Sequence, residues 1–212
     1  MIATDSQKFV SAYPIYFGTI RSKQADALTV ILNSFNQDTE LDDVRHAAYM
    51  LATIWHETAQ TFEPITEYGG YSYFSRYDGR CGNSRRGDGY RYRGRGYVQL
   101  TFKCNYKKAS EKLCRLSNRY PDGIDLVANP DLALDPKVAS DILLLGMREG
   151  WFTGKKLNDY ITSTRCDYYR ARKIINALDK ARSIARAADK FETLLNSARV
   201  GRVSSYVRHS LW

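Results

Sequence analysis

With 212 residues, 43% of them hydrophobic and 26% charged, the chain is long enough to bury a core without help from disulfides or a structural metal, and its composition excludes a disordered, collagenous or coiled-coil polypeptide. Lys and Arg number 32 against 23 Asp and Glu, a net charge of +9, which favours a polyanionic partner as a class and assigns no chemistry. No apolar run approaches the roughly 20 residues of a membrane-spanning helix.

The charge is unevenly spread. Residues 1–70 and 121–147 are net acidic, whereas 71–120 carry 13 basic side chains against 3 acidic ones and 148–212 carry 14 against 6. At the start, Asp5, Gln7 and Lys8 interrupt the stretch where an export signal would be apolar, so the expectation is a chain made in a cytoplasm. Residues 24–36 repeat Ala25, Leu28, Ile31, Leu32 and Phe35 at helical spacing. A second helix follows Asp42 or Asp43 as N-cap, with Val44, Ala47, Ala48, Leu51 and Trp55 as its apolar stripe. That stripe leaves Thr53 and Glu57 together on another face. Pro64 and Gly69-Gly70 end the helical signal.

The stretch 71–97 is rich in Gly, Tyr and Arg, and Tyr90-Arg91-Tyr92-Arg93 alternates with period two, which predicts a short strand. A helix is predicted from about Thr101, with Tyr106, Ala109 and Leu113 on one face; turns follow at 121–123 and 129–130. Asp135-Pro136 reads as an N-cap followed by proline at the first helical position. Two more helices are predicted, over 167–178 and 183–198. No internal repeat or linker divides the chain, so a single unit over 1–212 with no separate binding module is expected. The four cysteines lack CxxC spacing and read as free thiols.

Two carboxylates stand out. Glu57 ends an alanine- and leucine-rich helix beside Trp55 and His56; apolar surroundings there would keep it protonated, as a general acid requires. Glu67 lies ten residues on in a glycine-flanked loop, with Glu63 the alternative, and a pair of carboxyl groups is what glycoside hydrolysis uses. A zinc HExxH site is excluded because position 60 is Gln60. The segment from Tyr92 to Thr101 admits two readings. Arg–Gly units among tyrosines suit RNA, but only two such units occur; alternatively the glycines permit turns beneath a cleft into which Gln99 and Thr101 point polar groups.

Taken together, AAYMLATIWHET, GDGYRYRGRGYVQLTFKCNY and GIDLVANPDLALDP resemble, in order and spacing, glycoside hydrolase family 19, which comprises plant chitinases and lysozyme-like phage endolysins. The chain looks most like an endolysin of a phage of Gram-negative hosts. The resemblance implies a mainly α, lysozyme-like, two-lobed domain with a small β element and a substrate cleft. It implies Glu57 as general acid, Glu67 as general base and Thr101 as a holder of the nucleophilic water. His56, Arg95, Tyr97, Gln99, Asn105 and Asn176 become substrate-binding or cleft-supporting residues. One departure is Ile175-Asn176-Ala177-Leu178, where many family members have Ile-Asn-Gly-Gly. The implied activity is inverting hydrolysis of β-1,4 bonds in peptidoglycan glycan strands; the rivals are a lytic transglycosylase, a chitinase and a non-enzymatic nucleic-acid-binding module. No metal or cofactor and no nucleic acid is expected. A monomer is expected, made in the host cytoplasm and acting in the periplasm, with weak anionic-membrane contact through the basic C-terminal helices.

Overall fold

The computed structural model describes residues 2–200; the predicted span 1–212 and the basic C-terminal segment extend at 201–212 outside the described residues. The architecture is mainly helical, with two small two-stranded antiparallel sheets among the described residues. Its axis is α3 (Val44–Glu57), capped by the Asp43 side chain accepting from the Arg45 amide. Every residue from Ala47 to Ile54 is buried, so α3 is enclosed on all sides, as a helix apolar around most of its circumference must be. Along it packs α9 (Ala181–Ser197) through Ile184, Ala187, Ala188, Phe191, Leu194 and Leu195. α2 (Ser22–Gln37) buries Leu28, Ile31, Leu32 and Phe35 and packs against α7 (Pro136–Glu149). The Asp135 carboxylate caps α7 by accepting from the amides of Lys137 and Val138, as its sequence predicts.

Against α2 and α9 lies α1 (Ser6–Phe17). Asp5 caps it through the amides of Gln7 and Lys8. Phe9, Tyr13 and Phe17, four residues apart, come to one face and meet Phe62 and Phe191; the Phe17 and Phe191 rings stack with centroids 4.3 Å apart.

Smaller elements carry the loops. β1 (Ile65–Thr66) pairs antiparallel with β2 (Arg95–Gly96), Ile65 opposite Gly96 and Thr66 opposite Arg95. Between them run α4 (Tyr71–Phe74) and α5 (Asp88–Arg91). The strand expected at 90–93 is therefore corrected to a helical turn. Gly87, at φ 91°, turns the chain into it, and Gly89 sits so close to the Phe74 carbonyl that a Cβ would stand 2.2 Å from its oxygen. α6 (Lys103–Leu113) follows, then β3 (Ile161–Thr162) pairs with β4 (Arg165–Cys166). The helix expected over 167–178 is cut to α8 (Tyr168–Ala171) and one 3-10 turn, Arg172–Ile174.

The cysteine expectation is corrected as well. Cys81 and Cys104 form a disulfide, with Cα atoms 5.5 Å apart, while Cys114 and Cys166 are free. Two bonds hold the 81–83 loop onto the start of α6: the Cys104 amide donates to the Cys81 carbonyl (3.0 Å), and the Lys103 amide to Asn83 Oδ1 (2.9 Å). A bridge made by this folding leaves no spacing motif.

Candidate active site

Glu57 is the last residue of α3. Past it the chain reverses through Ala59 and Gln60, both with positive φ, a conformation that costs non-glycine residues energy and is kept where the surroundings impose it. Here the Gln60 amide donates to the Trp55 carbonyl (2.7 Å) and Phe62 is fully buried. The reversal leads into β1 and thence to Glu67.

Glu57 does not have the apolar surroundings expected for it. Its Oε1 accepts from Arg172 Nη1 at 2.5 Å. The arginine side chain is 3% exposed and the glutamate 21%, so the guanidinium is sealed behind the carboxylate. Arg172 Nε donates in turn to the Asp179 carbonyl (3.1 Å), and the Asn176 amide donates to the Arg172 carbonyl (3.0 Å). The Asn176 side chain is exposed and accepts from the Ala177 amide. Glu57, Arg172 and the 176–179 segment thus form one polar cluster. His56, next to Glu57, is half-buried and makes no side-chain hydrogen bond among the described residues.

A second cluster gathers around Glu67. Its amide donates to the Gly94 carbonyl (2.8 Å), its Oε2 accepts from the Gly94 amide (3.1 Å) and its Oε1 from the Tyr77 hydroxyl (3.1 Å). Burial holds the Tyr77 hydroxyl above its ordinary pKa, so it stays a donor. Gly94 is required for this closeness: a Cβ there would stand 2.7 Å from Gln99 Oε1 and 3.1 Å from Glu67 Oε2. Gln99, at φ 55°, donates from Nε2 to the carbonyls of Ile65 (3.2 Å) and Gly96 (3.3 Å). Thr101 Oγ1 donates to the Gln99 carbonyl (2.7 Å) and Asn105 Nδ2 to the Thr101 carbonyl (2.7 Å). Glu67, Gln99, Thr101 and Asn105 are therefore brought together. Glu63 is not: it is exposed and borders a separate cavity of about 270 Å³ with Arg21, Gln24 and Thr61.

Of the residues expected to bind substrate or support the cleft, Arg95 and Tyr97 are turned inward as supports. Arg95 is 4% exposed and commits its guanidinium to Asp131 (2.8 Å), the carbonyls of Arg91 (2.9 Å) and Arg93 (3.1 Å), and the Tyr106 hydroxyl (3.0 Å). Tyr97 is fully buried, and that burial pushes its hydroxyl well above the ordinary range. Neither offers a ligand a surface; both hold the floor from which Gln99 and Thr101 rise. Arg172 and Tyr77, which orient the two carboxylates, escaped sequence reasoning. The one available signal for Arg172 was its place beside Ala171, Ile174 and Ile175, an apolar setting for a charge.

No hydrogen bond or ion pair joins the two clusters among the described residues. Each carboxylate is oriented by its own partners. No family model matches the chain, and no curated protein does. Solved structures do. Chitinase C from Streptomyces griseus superposes with a TM-score of 0.60 at 21% identity, covering 93% of this chain and 79% of its own. A mutant of chitinase C gives 0.51 at 21%, covering 93% and 95%. A bacterial family 19 chitinase gives a TM-score of 0.51 at 21% identity, over 91% of this chain and 94% of its own. The fold is that of a family 19 chitinase. The family 19 chitinase fold bears out the expected mainly helical architecture with its small β element.

Proposed function

We propose that the chain is an endolysin-type glycosidase that hydrolyses β-1,4 bonds in the glycan strands of peptidoglycan with inversion. The observation that carries this is the pair of separately oriented carboxylates, Glu57 and Glu67, in a family 19 chitinase fold. Arg172 orients Glu57 through Oε1, and the protonated form of the carboxyl passes its proton from Oε2 to the glycosidic oxygen, becoming the carboxylate that pairs with the guanidinium. Glu67 takes a proton from a water, which attacks the anomeric carbon from the opposite face as the bond to the leaving sugar breaks. Thr101 spends its hydroxyl proton on the Gln99 carbonyl, so its oxygen is available to accept from that water. Inversion needs the two carboxyl groups about 6.5–9.5 Å apart, and hydrogen bonding by separate partners is compatible with such a gap.

Charge supports an acidic glycan over a neutral one. In the 71–120 block Arg76, Arg80, Arg85, Arg86 and Arg91 are exposed. Two of its three acids are consumed by backbone amides, Asp78 by those of Gly87 and Gly89 and Asp88 by that of Arg85. Tyr68, adjoining Glu67, is 99% exposed, and Tyr71 is exposed nearby, side chains of the kind that stack on sugars. The peptide stems of the wall supply carboxylates for the guanidinium groups. The same reading has the protein made in the host cytoplasm and working as a monomer in the periplasm.

The chitinases among the structural neighbours favour a second reading, hydrolysis of chitin. Digestion of purified peptidoglycan and of chitin oligomers in parallel, with mass spectrometry of the products, separates the readings. Hydrolysed peptidoglycan ends that have gained one water are expected, with Glu57→Gln slowing their release at least about 100-fold while the circular dichroism spectrum is unchanged. Faster turnover of chitin, 1,6-anhydro ends, or near-normal release by the variant would each overturn the proposal.

A further inference from the structure

Where the C-terminal end of α1, the end of α3 and the start of α9 meet lies a cavity of about 600 Å³. It shares no residue with either carboxylate cluster. Among the described residues Lys180, Arg182, Arg186 and Lys190 line it, and no carboxylate does. Arg182, Arg186 and Lys190 are four residues apart on α9, which stacks them in one row along the helix face. All four cations are exposed, and none forms an ion pair among the described residues. The residues beyond 200 hold no Asp or Glu to neutralise them.

The opposite wall is apolar. Phe17 and Trp55 form it, and Lys190 is held over the Phe17 ring, 5.4 Å from its centroid, by donating to the Tyr16 carbonyl (2.9 Å). Trp55 Nε1 is buried with no hydrogen-bond partner among the described residues. α9 also starts here without a side-chain cap, since its N-cap position is Lys180, so the positive end of the helix adds to the cationic charges. Four like charges around one concavity repel each other, and a multivalent anion relieves that repulsion. Guanidinium forks match the oxygens of phosphate in bidentate pairs, and a phosphate concentrates more charge in the volume than a single carboxylate.

We propose that this cavity is a second binding site, one that takes a phosphate group on Arg182, Arg186 and the two lysines while Phe17 and Trp55 cover the carbon skeleton it is attached to. The phosphate is either that of a soluble phosphorylated compound or that of an anionic lipid headgroup, the latter being the way the basic helix would meet a membrane. The site is independent of the Glu57–Glu67 chemistry.

The full chain titrated with pyrophosphate in a calorimeter, at ionic strength held constant with sodium chloride, tests the proposal. One saturable site is expected, weakened about tenfold or more by the double variant R182Q/R186Q. Both arginines are exposed, so the variant should keep the wild-type melting temperature and peptidoglycan cleavage, and Glu57→Gln should bind pyrophosphate as the wild type does. Co-sedimentation with phosphatidylglycerol vesicles, against phosphatidylcholine alone, assigns the source. Retention of the wild type and release of the double variant identify a lipid headgroup, whereas pyrophosphate binding without retention identifies a soluble compound. Absence of saturable binding by both probes, or equal binding by the double variant, overturns the proposal.

Discussion

Asp78 makes one carboxylate serve two backbone amides, those of Gly87 and Gly89, and these bonds hold its carboxyl below the ordinary aspartate range. Because the folded value is depressed, the stabilisation is present above the unfolded pKa of about 3.9 and is lost as pH falls through the folded value. A carboxyl-carbon NMR titration should find Asp78 protonating below that unfolded value, with exchange of the Gly87 and Gly89 amides quickening as it does. A midpoint at or above about 3.9 would contradict the assignment. The members of the candidate site are legible where identity and local pattern suffice: Glu57 at a helix end, Glu67 in a glycine-flanked loop, Gln99 and Thr101 after the Arg–Gly segment. They are not legible where the partner is remote. Arg172 reaches Glu57 across 115 positions, and Arg95 faces inward only because Asp131 and Tyr106 await it there.

Helices α2, α3, α7 and α9 follow from apolar spacing and from the caps Asp43 and Asp135, since each buries a broad stripe that the sequence displays. α5 was misread because two-residue alternation over four positions also fits one helical turn, and the choice rests on Gly87 and Gly89, whose backbones take positions a side chain would block. α1 shows Phe9, Tyr13 and Phe17 at helical spacing, obscured by Pro14 in its last turns. The Cys81–Cys104 bridge ties the loop after α4 to α6 across a separation of 23 residues. A closure of that length stabilises by about 3 kcal/mol in the chain-entropy account. Urea denaturation of C81S/C104S against the wild type should show a loss of up to that size, and alkylation of the native protein should label Cys114 and Cys166 alone. Labelling of Cys81 or Cys104 in the non-reduced protein, or unchanged stability of the variant, would count against the bridge.

Across the whole molecule, Arg76, Arg80, Arg85, Arg86 and Arg91 of the 71–120 block are exposed and take part in no ion pair among the described residues, and the proposed acids Glu57 and Glu67 lie in the net acidic first block. In the proposed function these arginines hold the wall polymer while the two carboxylates cut it. Attraction between exposed charges is screened beyond about 10 Å at 0.1 M salt, so clearing of intact walls should fall as sodium chloride is raised from low to 0.3 M, while cleavage of short uncharged glycan fragments should hardly change. Equal salt sensitivity of the two assays would assign the basic block to something other than wall attachment.

The first and last described segments meet. Thr4 pairs antiparallel with Arg199, the Asp5 amide donates to the Ala198 carbonyl (2.9 Å) and the Val200 amide to the Ala3 carbonyl (2.9 Å). For protein engineering, the two ends of the fold are thus a single attachment point. A targeting domain fused ahead of residue 2 or behind residue 200 leaves from the same spot, so the length of its linker, rather than the choice of terminus, sets its reach. A short peptide joining the ends likewise closes the chain into a ring, and new termini opened in an exposed loop yield a circular permutant with the helical core uncut.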